Sequence, residues 1–146
     1  METVVKKFEE LTVVELYEIL KLRAEVFVVE QDCVYQDIDD KDKGAWHVFL
    51  RDDDGIEAYL RVLDKGVAFD EISIGRVVAK KREKGFGKAV MEAGMKVAEE
   101  KLGADRIRIV AQSYAEGFYQ KTGFVTVSDE FMYDGIPHVY MIWENK

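Results

Sequence analysis

The chain has 146 residues, and 21 lysines and arginines against 29 aspartates and glutamates leave a formal net charge of -8. At that length one domain spanning residues 1–146 is expected, and a composition 48% hydrophobic and 34% charged excludes a disordered or collagenous chain. So acidic a chain repels nucleic-acid phosphates, which excludes nucleic acid as the main partner.

The first expected element is a short strand, Val4 to Phe8. Thr12-Val13-Val14-Glu15 then has the Ser/Thr-x-x-Glu form in which two side chains satisfy free amides at a helix start. The helix that follows carries Val13, Leu16, Tyr17, Ile19, Leu20 and Phe27 near the helical period and ends near Val29. Trp46 to Arg51 and Ile56 to Leu63 are β-prone runs around Asp52-Asp53-Asp54-Gly55, a hairpin. Phe69 to Ala79 is the next strand. Gly85 to Leu102 is a helix with Ala89, Val90, Ala93, Val97 and Ala98 inward, closed by Gly103. Arg106 to Ala111 alternates as a strand, and Tyr114 to Lys121 is a short helix closed by Gly123. Phe124 to Val127 and His138 to Trp143 are the last strands, joined through Asp134-Gly135. This order predicts an α/β chain with a mixed sheet and helices on both faces.

No apolar run approaches the roughly 18 to 20 residues that cross a bilayer, so no membrane partner is expected. Met1 to Lys7 lacks the basic-then-apolar plan of a signal peptide, and the lone Cys33 cannot form an intramolecular disulfide. Both point to a reducing cytoplasm. His47 and His138 are too far apart in sequence to argue a shared metal site, and no metal is expected.

The charge is unevenly spread. Lys80 to Lys88 reads KKREKGFGK, five positive residues and one negative, so this window carries +4 and the other 137 residues carry -12. A cationic spot in an acidic protein suggests a small polyanionic ligand. The acidic stretches Asp37 to Asp42 and Asp52 to Asp54 read as solvated loops, and neither has the spacing of a calcium-binding loop.

The basic window lies between a strand and a helix. The first amides of a helix have no partner within it, and the helix dipole favours an anion there; glycines let a ligand reach the backbone. A Walker loop would need Ser or Thr after Gly87-Lys88, where Ala89 stands, and Val90 occupies the third glycine of a dinucleotide fingerprint. By itself the turn is also compatible with a solvated basic face.

Arg82-x-x-Gly85-x-Gly87 resembles the Arg/Gln-x-x-Gly-x-Gly/Ala loop of the GCN5-related N-acetyltransferases, the GNAT family. Further on, Phe118-Tyr119-Gln120-Lys121-Thr122-Gly123-Phe124 is similar to that family's Phe-Tyr-x-Lys-x-Gly-Phe run. The segments Leu22 to Gln31, Tyr35 to Asp39 and Asp134 to His138 resemble a small bacterial branch of the family labelled ElaA-like. The resemblance implies the GNAT fold, a mixed central sheet of about six or seven strands with two splayed parallel strands at the cofactor cleft. Those strands would be Ile72 to Ala79 and Arg106 to Ala111.

Acetyl-CoA would lie between them, with the main chain of Val77 and Val78 pairing its pantetheine arm. Its pyrophosphate would meet Arg82, Glu83, Lys84, Gly85, Phe86, Gly87 and Lys88. The implied reaction is acetyl transfer to a primary amine, of a small molecule or a peptide, by direct attack on the thioester. An amine with a pKa of about 10.4 is only about one part in 2,500 neutral at pH 7, so a base or a desolvated pocket must help. Tyr119 matches the family's general acid, and Glu71 and Glu30 are candidate bases. Arg23, Phe27 and Gln31 are expected at the acceptor groove, with Arg23 and Glu30 on one helical face. Cys33 reads as an inert thiol in a loop lining that groove. A homodimer is the default assembly. The alternatives are a CoA-binding sensor without turnover and an interaction domain whose basic turn is incidental.

Overall fold

The computed structural model describes residues 1–81 and 84–145. Among the described residues one sheet contains eight strands: β1 (Glu2–Lys7), β2 (Trp46–Asp52), β3 (Gly55–Leu63), β4 (Ile72–Ala79), β5 (Arg106–Gln112), β6 (Val125–Thr126), β7 (Phe131–Tyr133) and β8 (Ile136–Glu144). Their order is β1-β2-β3-β4-β5-β8-β6, with β7 pairing β8. All neighbours are antiparallel except β4 and β5, which are parallel. This is the expected mixed sheet, longer than six or seven strands because β6 and β7 have only two and three residues. β7 was not expected from the sequence; the Asp134-Gly135 reversal joins it to β8.

Among the described residues three α-helices cover the sheet: α1 (Val13–Arg23), α2 (Phe86–Leu102) and α3 (Glu116–Lys121). The capping box holds as expected. The Glu15 amide donates to Thr12 Oγ1 at 3.0 Å and the Thr12 amide donates to Glu15 Oε1 at 2.8 Å. Glu15 also accepts from Lys6 Nζ at 2.9 Å and Arg51 Nη1 at 2.8 Å, tying α1 to β1 and β2. Burial alone would raise its pKa, but the Thr12, Lys6 and Arg51 bonds together lower it.

The two faces follow the strand period of two. Val48, Leu50, Ala58, Leu60 and Val62 pack with α2, whereas Phe49 and Tyr59 pack with Ile19, Leu22 and Val26 on the opposite face. The inward faces differ from expectation in detail. On α2 the buried residues are Val90, Met91, Gly94, Val97 and Ala98, with Ala89 exposed. On α1, Val13 and Tyr17 are exposed, while Glu15 and Arg23 are buried because each is ion-paired. α2 lies close on the sheet at Gly94: a Cβ there would lie 2.7 Å from both Leu60 Cδ atoms.

α1 does not run on regularly to Val29. After Arg23 the chain continues as a seven-residue π-helical segment, Ala24–Glu30, seen in the bonds Gln31 N–H to Val26 O and Cys33 N–H to Val28 O. Arg23 and Glu30 therefore do not share a helical face: Arg23 is fully buried and Glu30 is exposed.

Candidate active site

The parallel pair β4/β5 meets only at Ile72–Ile107 and Ser73–Arg108, after which the strands separate. A bulge helps to turn β4 away. Tyr59 opposes Val78 and Arg61 opposes Gly75, so two residues of β4 face one of β3, and Arg76 takes a left-handed φ of 53°. The gap opens a cleft of about 400 Å³, bounded by β4, β5, the π-helical segment, the loop after it and the β7–β8 hairpin. Edges with unpaired backbone groups are ready partners for an extended amide-bearing ligand.

At the end of β4, Gly85 has φ +76° and a Cβ there would meet nothing within 4 Å, so its backbone faces open space. Ala89 N–H to Gly85 O closes the first turn of α2, and the Phe86, Gly87 and Lys88 amides precede it. Lys84 and Lys88 are exposed, and Lys81 Nζ lies 3.5 Å from Oε1 of the fully buried Glu57. This chemistry fits a pyrophosphate: backbone donors, a helix N-terminus and cations together.

Tyr119, on α3, lines the cleft. Burial pushes its phenol well above the ordinary tyrosine value, so it holds its proton at neutral pH. Its ring is fixed edge-on between Phe118 at 5.0 Å and Phe124 at 6.3 Å.

An ionic cluster underlies the opposite end. Arg23 Nε donates to Asp37 Oδ2 at 3.0 Å and Nη1 to Asp42 Oδ1 at 2.7 Å. Arg61 donates to Asp39 Oδ1 at 2.8 Å, to Asp39 Oδ2 at 2.7 Å and to Asp42 Oδ1 at 3.0 Å. Arg76 Nη2 donates to the Asp37 carbonyl at 3.0 Å, and its Nε lies 2.7 Å from Asp37 Oδ1, off the hydrogen-bonding direction. Burial alone would raise the Asp39 pKa, but Arg61 and Arg76 hold it well below the ordinary carboxylate range. Below the cluster, burial lowers the His47 pKa and keeps it neutral; Nε2 pairs with the Asp42 carbonyl at 2.9 Å and Nδ1 with Tyr59 Oη at 2.7 Å. The stretch Asp37 to Asp42 is thus not the solvated loop expected from its composition.

The acetyltransferase (GNAT) domain model matches residues 9–145. The chain belongs to the GNAT acetyltransferase family. It is 37% identical to a UPF0039 protein of Schizosaccharomyces pombe, over 97% of this chain and 95% of that one. Among solved structures it superposes on an acyl-CoA N-acyltransferase from Pseudomonas aeruginosa with a TM-score of 0.91 and 36% identity, covering 98% of this chain and 99% of that one. Escherichia coli ElaA gives the same TM-score at 33% identity, again over 98% and 99% of the two chains.

Within this GNAT fold the residues singled out from sequence fall in several places. Tyr119, Val77, Phe27 and Gln31 line the one cleft. Val78 turns its side chain into the α1-side core. Lys84, Gly85, Phe86, Gly87 and Lys88 form the turn into α2, while Arg82 and Glu83 lie outside the described residues. Two expectations need correction. Arg23 does not line the cleft, because the Asp37 and Asp42 carboxylates take up its guanidinium beneath the loop. Glu71 accepts from Arg108 Nε at 2.9 Å and Nη2 at 3.1 Å, which lowers its pKa, and it lines no part of the cleft. That is poor chemistry for a base. Glu30, the other candidate base, lines a smaller cavity with Gln31, Gln112, Tyr114 and Ile136, all four of which also line the cleft, so it stands at the cleft's edge. Gln31 and Gln112 line both spaces and exchange two amide bonds, at 3.1 and 3.3 Å.

Sequence reasoning missed His138 as a cleft residue. It is buried, lines the cleft, and has Nδ1 2.7 Å from the Ile136 carbonyl oxygen. A carbonyl only accepts, so Nδ1 carries a proton, and the tautomer this selects has its lone pair on Nε2. No sequence pattern signals this, since the partner is a backbone carbonyl two residues away. Cys33 is buried, lines the cleft as its loop position suggested, and its Sγ donates to the Asp134 carbonyl at 3.4 Å. Among the described residues no group of three His, Cys, Asp or Glu side chains is arranged to hold a metal ion.

Proposed function

We propose that the protein is an N-acetyltransferase that transfers the acetyl group of acetyl-CoA to a primary amine. One observation carries the reading most: β4 and β5 part after two residue pairs, and the gap between them is faced by the protonated Tyr119 phenol. The main chain beyond the Arg76 bulge, at Val77 and Val78, would hold the pantetheine arm, and the turn from Lys84 to Lys88 its phosphates. Bound acetyl-CoA supplies a thioester whose acyl carbon is open to an amine.

The residues of the chain then have defined tasks. His138 Nε2 takes a proton from the acceptor ammonium, giving the neutral amine that attacks, and passes that proton to solvent before the next turnover. A C–N bond forms and the C–S bond breaks; the nitrogen gives up its second proton to water. Tyr119 gives its phenolic proton to the departing sulfur, so that CoA leaves as a thiol, and regains one from solvent. The partly enclosed cleft favours the neutral amine over its ammonium, which lowers the cost of the first step.

Thermal melting with acetyl-CoA tests the binding half. A ligand at 100 times its dissociation constant stabilises by about 2.7 kcal/mol. No rise in Tm at saturating acetyl-CoA would sink the reading.

A further inference from the structure

We propose that the acceptor is an arylalkylamine, a primary amine whose remaining bulk is an aromatic ring. The inference rests on the transferase reading above and concerns the half of the cleft facing the loop and the β7–β8 hairpin, where Phe27, Tyr35, Phe69, Tyr133 and His138 form the wall.

The rings on the hairpin side of this wall hold one another in place. Tyr133 meets His138 edge-on at 5.5 Å, and Phe131 stacks on His138 at 6.3 Å and lies 4.6 Å from Tyr140. Tyr140 meets Phe69 edge-on at 5.9 Å. Arg108 lies 5.7 Å from the Phe69 ring and 5.3 Å from the Tyr140 ring, and Glu71 grips its guanidinium. A wall ordered in advance takes an aromatic guest in edge and offset contacts with little further loss of side-chain freedom.

Charge decides against the competing amines. Lys41, Arg61, Arg76, Asp39 and Asp134 line the cleft, and Arg23, Asp37 and Asp42 join the same ionic cluster. That is four cations against four carboxylates, a net charge of zero. A polyamine needs several spare carboxylates, yet Asp39 gives one oxygen to Arg61 and the other to both Arg61 and Arg76, which among the described residues leaves Asp134 as the one lining carboxylate outside an ion pair. An amino-acid acceptor needs a spare cation for its carboxylate, yet Arg23, Arg61 and Arg76 are all paired with aspartates and Lys41 Nζ lies 3.9 Å from Asp39 Oδ2. A neutral ring needs neither.

The test is kcat/KM with acetyl-CoA and four acceptors: phenethylamine, butylamine, spermidine and phenylalanine. Phenethylamine should exceed butylamine by roughly tenfold, with spermidine and phenylalanine below it. In Phe69→Leu the ratio of phenethylamine to butylamine should fall by at least about threefold. Tyr133→Leu should lower the same ratio, and because Tyr133 is 55% exposed on the hairpin its replacement spares the core. Spermidine, phenylalanine or butylamine equalling phenethylamine, or an unchanged ratio in both variants, overturns the proposal and leaves amine acetylation standing. Acetyl-CoA binding without acetylation of any amine overturns the transferase reading, and this proposal with it.

Discussion

Arg61 grips Asp39 with two guanidinium nitrogens, Nη1 to Oδ1 at 2.8 Å and Nη2 to Oδ2 at 2.7 Å, and so folds the acidic loop against β3. The pairing turns a stretch that looks solvated into part of the cleft wall. It also makes the loop acid-sensitive. Asp39 and Asp42 have folded pKa values below their unfolded ones, so their stabilisation is fully present above the ordinary carboxylate pKa of about 4 and is lost as pH falls through the folded values. Urea melts should show stability flat from pH 7 to about pH 5 and falling steeply below about pH 4. Asp42→Asn, which leaves Arg23 buried with less compensation, should cost about 3 to 5 kcal/mol at pH 7. A cost under about 1 kcal/mol would remove the cluster from any structural role.

His138→Gln should lower kcat by about 100-fold or more while leaving acetyl-CoA binding intact, because general base catalysis is typically of that order. Added imidazole should restore part of the rate in His138→Ala. Glu71→Gln is the contrast: tied to Arg108 and away from the cleft, it should keep kcat within about threefold, and a large loss there would return the base role to Glu71.

Tyr119→Phe should lower kcat by about 10- to 100-fold with acetyl-CoA binding unchanged. Burial raises the folded pKa of this phenol, so its acid form persists to higher pH than that of a free tyrosine. The rate with wild-type protein should therefore show no Tyr119-dependent decline below about pH 10. Full turnover in Tyr119→Phe would remove the acid from the scheme.

Gly94→Ala tests how closely α2 lies on β3. The added Cβ would meet both Leu60 Cδ atoms at 2.7 Å, and Leu60 is fully buried. Overpacking should cost about 1 to 3 kcal/mol, partly offset by the better helix propensity of alanine, about 1 kcal/mol. Thermal melting reads the difference; a Tm equal to wild type would show that Leu60 gives way freely.

Local signals in the sequence carried much of the fold. The Thr12–Glu15 capping box, the Gly85 turn and the Gly103 stop each depend on residues within one helical turn, and each stands where expected. Long-range pairings were not legible. Arg23, Arg61 and Arg76 come from three separate elements, so nothing near Asp37 to Asp42 signals that these carboxylates are neutralised. The π-helical segment Ala24–Glu30 has no periodic signature of its own, which is why Arg23 and Glu30 looked like neighbours on one face. β7, at three residues, is too short for alternation to show. At the site, Tyr119 and the glycine turn came from ordered motifs, whereas the His138 tautomer depends on the Ile136 carbonyl, a backbone contact no pattern encodes.

The central claim is acetyl transfer from acetyl-CoA to an amine. It is tested most directly by mass spectrometry of the acceptor after incubation of the purified chain with acetyl-CoA and phenethylamine, with CoA thiol counted in parallel. Equal amounts of N-acetylated amine and free thiol, both dependent on the protein and both falling sharply in Tyr119→Phe, are the predicted result. Acetyl-CoA bound but returned intact, with no acetylated amine, would contradict it.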